Sequence, residues 1–189
     1  MGIYDTLRSV LRFEPIELDP VARRLRRAAG VADLRRIARR RLPAGVFDYI
    51  DGGAEDERTL AANTRAFAER TFVPRVLRSM AKIDTSTTLL GRALPYPLVL
   101  APTGFTRIAD PEGELAVARS AARAGLPYTL STMSTRSIEE VAGVSDGPKW
   151  FQVYVWRDRG LVKDMILRAR AAGYEALHVH GPVHGARVL

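Results

Sequence analysis

A chain of 189 residues that is 47% hydrophobic and 26% charged is long enough for one sizeable core and too apolar to be disordered throughout. It has no cysteine, which excludes disulfides, thiolate metal sites and a cysteine nucleophile and fits a reducing compartment. The N-terminus lacks an apolar core behind a basic start and no run of about 18 apolar residues occurs, so a cytoplasmic chain is expected, with peripheral contact to an anionic membrane left open.

The net charge of +8 is unevenly placed: residues 1 to 41 carry eleven arginines against five acids, or +6, leaving +2 for the rest. Residues 1–30 show weak periodicity and read as a lead-in. Residues 32–41 are predicted helical, because Val31, Leu34, Ile37 and Ala38 form an apolar stripe with arginines opposite, and Pro43 starts the next short helix. The arginines Arg23, Arg24, Arg26, Arg27, Arg35, Arg36 and Arg39 to Arg41 read as a solvated helix face in preference to a phosphate-binding stripe. No aromatic residue is interleaved among them, so base stacking is unsupported and no nucleic-acid partner is expected.

Residues 47–57, FDYIDGGAEDE, put a tyrosine, a glycine pair and an acidic cluster in eleven positions. Phe47, Tyr49 and Ile50 fit the apolar end of a helix, and Gly52 and Gly53 fit its terminus, since glycine accepts the left-handed backbone that helix ends use. From about Asn63 to Leu94 short extended pieces alternate with turns, including a hairpin-like segment at residues 85–91, and residues 31–95 as a whole read as N-terminal helices and a cap.

After Pro95 the pattern becomes regular. Apolar runs at residues 98–101, 128–130, 151–155 and 176–179 alternate with helical stretches at 111–124, 137–141 and 157–172, with Gly125 and Gly173 closing two of them. This alternation predicts an α/β chain with parallel strands, either a barrel wall or a doubly wound sheet, and periodicity does not separate the two. In both, chemistry sits at the C-terminal ends of the strands, where Thr103, Ser131, Thr132, Gln152 and Tyr154 fall. Hydroxyls and an amide suit the carbonyls and ring nitrogens of a heterocycle better than a metal. Gln152 and Tyr154 share one side of their strand by its period of two.

These residues resemble the FMN-dependent 2-hydroxy acid dehydrogenase and oxidase family, which includes L-lactate and mandelate dehydrogenases and glycolate oxidase. The resemblance runs from about residue 30 to 177 through FDYIDGGAEDE, RVL at 75–77, TTLLG at 87–91, LAPTG at 100–104, DPEGE at 110–114, LSTMSTRSIEEV at 130–141 and WFQVYVWRDRG at 150–160, in the family's order. It implies the N-terminal half of a TIM barrel, residues 96–189, that binds FMN at the strand ends and oxidises a small 2-hydroxy acid to a 2-oxo acid. By motif, Ala101, Pro102 and Thr103 face the flavin's reactive edge, and Ser131 and Gln152 bind FMN. Tyr49 binds the substrate carboxylate, Tyr154 lies beside the substrate hydroxyl, and Gly104 and Met133 line the substrate side. The overall likeness to lactate and mandelate dehydrogenases favours an electron acceptor other than oxygen.

One segment departs from the family pattern. Where the family continues Thr-Val-Asp-Thr-Pro, this chain has Leu177-His178-Val179-His180-Gly181-Pro182, read as two residues short and without the threonine and aspartate. His178 and His180 therefore receive neither role. Arg187 corresponds to a family arginine near the substrate, and no metal is expected despite the two histidines and His184. The resemblance also places the family's later lysine, histidine and arginine beyond residue 189, so the isolated chain is expected to be inactive and to self-associate through unpaired strand edges. The alternative is a non-catalytic half-barrel that pairs with a separate C-terminal half.

Overall fold

The structure, a computed structural model, describes residues 17–77 and 83–180. The chain divides into two compact units, Met1–Arg70 and Thr71–Leu189.

The first unit is helical. Helix α1, Pro20–Arg26, lies inside the segment of weak periodicity; Asp19 caps it by accepting the Val21 N–H at 2.8 Å, and Pro20 opens it. Helix α2 spans Val31–Arg41, and Asp33 in its first turn accepts the N–H groups of Ala29 and Gly30. Helix α3, Ala44–Asp51, follows after Pro43. The Arg35 guanidinium grips both carboxylate oxygens of Asp51, at 2.5 and 2.6 Å, and Arg39 lies over the Phe47 ring at 5.8 Å. These contacts tie α2 to α3. Helix α4 spans Arg58–Ala68, so regular helix replaces the extended pieces expected to begin at Asn63.

Gly52 ends α3 for a reason other than the left-handed backbone expected of it. Its φ is −78° and its ψ 157°, an ordinary extended conformation. A Cβ there would sit 2.8 Å from the Asp48 carbonyl oxygen, so the position requires the missing side chain and not the missing steric barrier.

The second unit begins with an antiparallel hairpin, β1 (Thr87–Leu89) and β2 (Arg92–Leu94), turned at Leu90 and Gly91. Next come helix α5 (Glu114–Arg123), strand β3 (Tyr128–Leu130), helix α6 (Ile138–Ala142), strand β4 (Lys149–Tyr154), helix α7 (Arg159–Ala171) and strand β5 (Ala176–His180). The sheet order is β3-β4-β5, all parallel. Leu100 bridges Tyr128 in parallel as well, which adds one more position on the far side of β3. Strands are thus added in one direction, without the reversal of order that defines a doubly wound sheet. Local chemistry sets the helix limits: Ser137 and Glu140 form a capping box on α6, Asp158 caps α7, and Gly125 and Gly173, at φ 68° and 81°, turn the chain out of α5 and α7.

The core lies between the sheet and these helices. Leu130, Val141, Phe151, Val153, Ala169 and Tyr174 form its centre, with Phe151 meeting Tyr174 edge to face at 6.2 Å. The Tyr174 hydroxyl donates to the Ile138 carbonyl at 3.0 Å, which satisfies its only polar atom. Strand β4 is buried on both faces: Phe151 and Val153 enter the core, while Gln152 between them is 1% exposed. A strand covered on both faces is the normal condition of a parallel sheet.

Candidate functional site

The site begins where the β3–β4 ladder stops. Leu130 pairs with Phe151, and beyond it side chains replace backbone in holding the two strands together. The Thr132 hydroxyl donates to the Gln152 carbonyl at 2.5 Å and accepts the Tyr154 N–H at 3.2 Å, so one side chain extends the sheet where the backbone of β3 has turned away. The Gln152 amide oxygen accepts both the Ser131 hydroxyl and the Thr132 N–H, each at 3.2 Å. The Ser131 hydroxyl in turn accepts the Met133 N–H at 3.0 Å.

This network fixes the amide of Gln152. The Thr132 N–H is a backbone donor that cannot reverse, so Oε1 must face it and Nε2 must face the other way. There the Nε2 group is buried with no hydrogen-bond partner. Leaving a buried donor unsatisfied costs about 1–3 kcal/mol, and such an atom in an otherwise satisfied network calls for an acceptor.

The loop after Leu100 supplies a second wall. Phe105 donates its N–H to the Met133 carbonyl at 3.0 Å, and a Cβ on Gly104 would stand 3.1 Å from the Met133 Cβ. Gly104 and Met133 are therefore brought together. Pro102 is half-buried, while Ala101 and Thr103 are exposed.

The β3–α6 loop is fastened from below by Glu114, which is fully buried and accepts the Thr135 N–H at 2.9 Å and the Thr135 hydroxyl at 2.7 Å. Burial works against the Glu114 carboxylate, but these hydrogen bonds outweigh it and hold its pKa below the usual carboxylate value. Arg136 reaches the Pro111 carbonyl at 3.2 Å from the same loop.

Tyr154 is half-buried at the end of β4. Strand β5 pairs residue for residue with β4, placing His178 beside Gln152 and His180 beside Tyr154. The Tyr154 and His180 rings lie 5.2 Å apart, and those of His178 and His180 lie stacked at 6.1 Å. The sequence leaves both histidines without a role, while their alternate spacing signals that they share one side of the strand. The sequence also notes Thr132 at a strand end but gives no hint of its bridging role. Tyr49 lies on α3 in the first unit, 65% exposed, and Arg187 lies outside the described residues. Among the described residues, no group of three or more His, Cys, Asp or Glu is placed to hold a metal ion, and no helix is long and apolar enough to cross a membrane.

The second unit is a run of parallel βα units that carry hydroxyls, an amide and small loop residues at the ends of their strands. The chain belongs to the FMN-dependent dehydrogenase family, whose model matches residues 38–187. It is 47% identical over 161 residues to an L-lactate dehydrogenase of Caulobacter vibrioides, covering 84% of this chain and 42% of that protein. It is 44% identical over 147 residues to glycolate oxidase 5 of Oryza sativa, covering 78% of this chain and 40% of that protein. Among solved structures it is similar to mandelate oxidase, with a TM-score of 0.76 and 42% identity over 80% of this chain and 44% of that one. The chain spans less than half the length of these relatives.

Proposed function

We propose that this chain supplies the first βα units of an FMN-dependent TIM barrel, with residues 31–95 as its cap and 96–189 as its barrel part, that oxidises a lactate-like L-2-hydroxy acid to the 2-oxo acid. The relatives named for L-lactate, glycolate and mandelate share this substrate class, a carboxylate with a hydroxyl on the neighbouring carbon. The unidirectional parallel strand order supports a barrel wall.

One observation carries the reading: the buried Nε2 donor of Gln152, fixed by Ser131 and Thr132 and lacking an acceptor. A flavin ring presents carbonyl oxygens and nitrogens along one edge, which fits that donor. Ser131 and Gln152 would hold this edge, and the backbone of Ala101 and Pro102 with the Thr103 hydroxyl would lie against the ring. FMN would supply the acceptor for the two electrons that leave the substrate's C–H bond. The hydroxyl of Tyr154 would donate a hydrogen bond to the substrate oxygen, stabilising charge that develops there. Tyr49 and Arg187 would bind the carboxylate. Gly104 and Met133 would bound the substrate's side chain.

The test is FMN titration of the purified chain, followed by quenching of flavin fluorescence, beside Gln152→Glu. That variant keeps an oxygen for the Ser131 and Thr132 donors and loses the Nε2 donor. At least tenfold weaker binding in the variant is expected; equal binding overturns the reading.

A second reading, a half-barrel that pairs with a separate C-terminal half or another copy, is favoured by strand β5, which among the described residues is paired on one side only and has Leu177 and Val179 44% and 61% exposed. Light scattering tests self-pairing: a dimer supports it, and Leu177→Lys would then restore the monomer.

A further inference from the structure

We propose that the cleft between α1 and α2 is a binding site for a small, multiply charged organic phosphate. The two helices are joined by only the segment from Arg27 to Gly30, and residues of both line an open cleft of about 480 Å³. Four arginines line it: Arg24 and Arg27 from α1 and its end, Arg36 and Arg40 from α2. The spacings of three and four residues put each pair on one face of its helix, so what reads in the sequence as a solvated helix face becomes a concave, four-guanidinium cleft.

The pocket's charge is unbalanced. Its one carboxylate, Asp33, is already committed: Oδ2 accepts the N–H groups of Ala29 and Gly30 at 2.8 and 3.2 Å, and Oδ1 is engaged by Arg36. Arg24, Arg27 and Arg40 have no ion pair among the described residues, in contrast to Arg35, which is paired with Asp51, and Arg39, which lies over Phe47. The arginines on the α3 side of α2 are used by the fold, whereas of the four lining the cleft only Arg36 is. Guanidinium forks bind phosphate oxygens in pairs, and three uncommitted forks with a fourth beside them match a di- or triphosphate better than a single carboxylate.

The occupant's organic part is indicated by Ala28 and Ile37, the apolar residues of the lining, and its size by the cleft volume, which falls in the range of small-ligand pockets. A nucleic-acid strand fits less well, because no aromatic side chain lines the cleft for a base to stack on.

The experiment is calorimetric titration of the full chain with ATP as the probe, at low and at high salt. The test variant is the triple Arg24→Ala, Arg27→Ala, Arg40→Ala; its control, of equal charge loss, is Arg65→Ala, Arg70→Ala, Arg170→Ala. All six side chains are exposed, and circular dichroism checks that both variants stay folded. One saturable site is expected, weakened at least tenfold in the test variant and less than twofold in the control, with affinity falling as salt rises. Absence of saturable binding, or equal weakening in both triples, overturns the proposal. So does co-sedimentation of the chain with anionic phospholipid vesicles in the presence of saturating ATP, which would assign the arginines to a membrane surface.

Discussion

The two units reach order by different means. Among the described residues of the first unit, Phe47 is the sole buried hydrophobic side chain, and Phe67 and Tyr49 are 84% and 65% exposed. Its helices are held by caps, by the Arg35–Asp51 fork and by one guanidinium over a ring. The second unit carries a continuous core from Ala118 to Tyr174, and its polar site is built on top of that core. Surface ion pairs contribute little and are screened by salt, whereas buried side chains contribute about 1.5–3 kcal/mol each. The site that needs rigid geometry thus stands on the unit that can provide it.

The largest effect should follow from Leu130→Ala, which removes a fully buried side chain beneath the Ser131–Gln152 network. Urea unfolding should show a loss of about 3 kcal/mol, against less than about 0.5 for Leu34→Ala on half-exposed α2. Equal losses would mean that the first unit has a core of its own. Thr132→Val, nearly isosteric, removes the hydroxyl that joins β3 to both Gln152 and Tyr154, and should cost about 1–2 kcal/mol while also weakening FMN binding. A stability loss without a change in FMN affinity would confine Thr132 to the fold.

A smaller effect is pH-dependent. The folded-state pKa of Glu114 lies below the ordinary carboxylate value, so its carboxylate stabilises the folded chain above that ordinary value and the contribution is lost as pH falls through the lower, folded-state value. Glu114→Gln should flatten the acid limb of a plot of melting temperature against pH and leave the neutral limb parallel to that of the parent. The smallest effect belongs to Arg168→Ala. This arginine forks onto Glu139 with two contacts of 2.8 Å and holds its pKa at about 2, yet the pair is solvent-exposed. Any change in its melting temperature should vanish in 0.5 M salt; a change that persists would show the pair to be shielded from solvent.

Much of the second unit is legible in the sequence because its signals are local. Three of the four hydrophobic runs become β3, β4 and β5, while the run at 98–101 contributes only a bridge at Leu100; Gly125 and Gly173 close their helices, and Ser137 with Glu140 forms a capping box within four residues. What escapes the sequence is set by pairing across the chain. Thr132 reads as one more polar residue, because nothing local says that the neighbouring ladder ends at Leu130 and needs its hydroxyl. His178 and His180 receive their neighbours, Gln152 and Tyr154, only from the β4–β5 register. Helix α4 is missed although Leu60 and Phe67, seven residues apart, share one of its faces, because no side-chain cap at Glu57 marks its start. Gly52 is read correctly as a stop and for the wrong reason, since a close carbonyl leaves no mark on its neighbours' identities.

The unpartnered nitrogen of Gln152 also bears on how much of this chain persists in a cell. A group that is buried without an acceptor is a standing cost to the empty fold, and a ligand that binds the folded chain alone adds about 2.7 kcal/mol at a hundred times its dissociation constant. On the proposed reading, flavin is then a folding partner as well as a reagent, and the amount of intact protein would track the supply of vitamin B2.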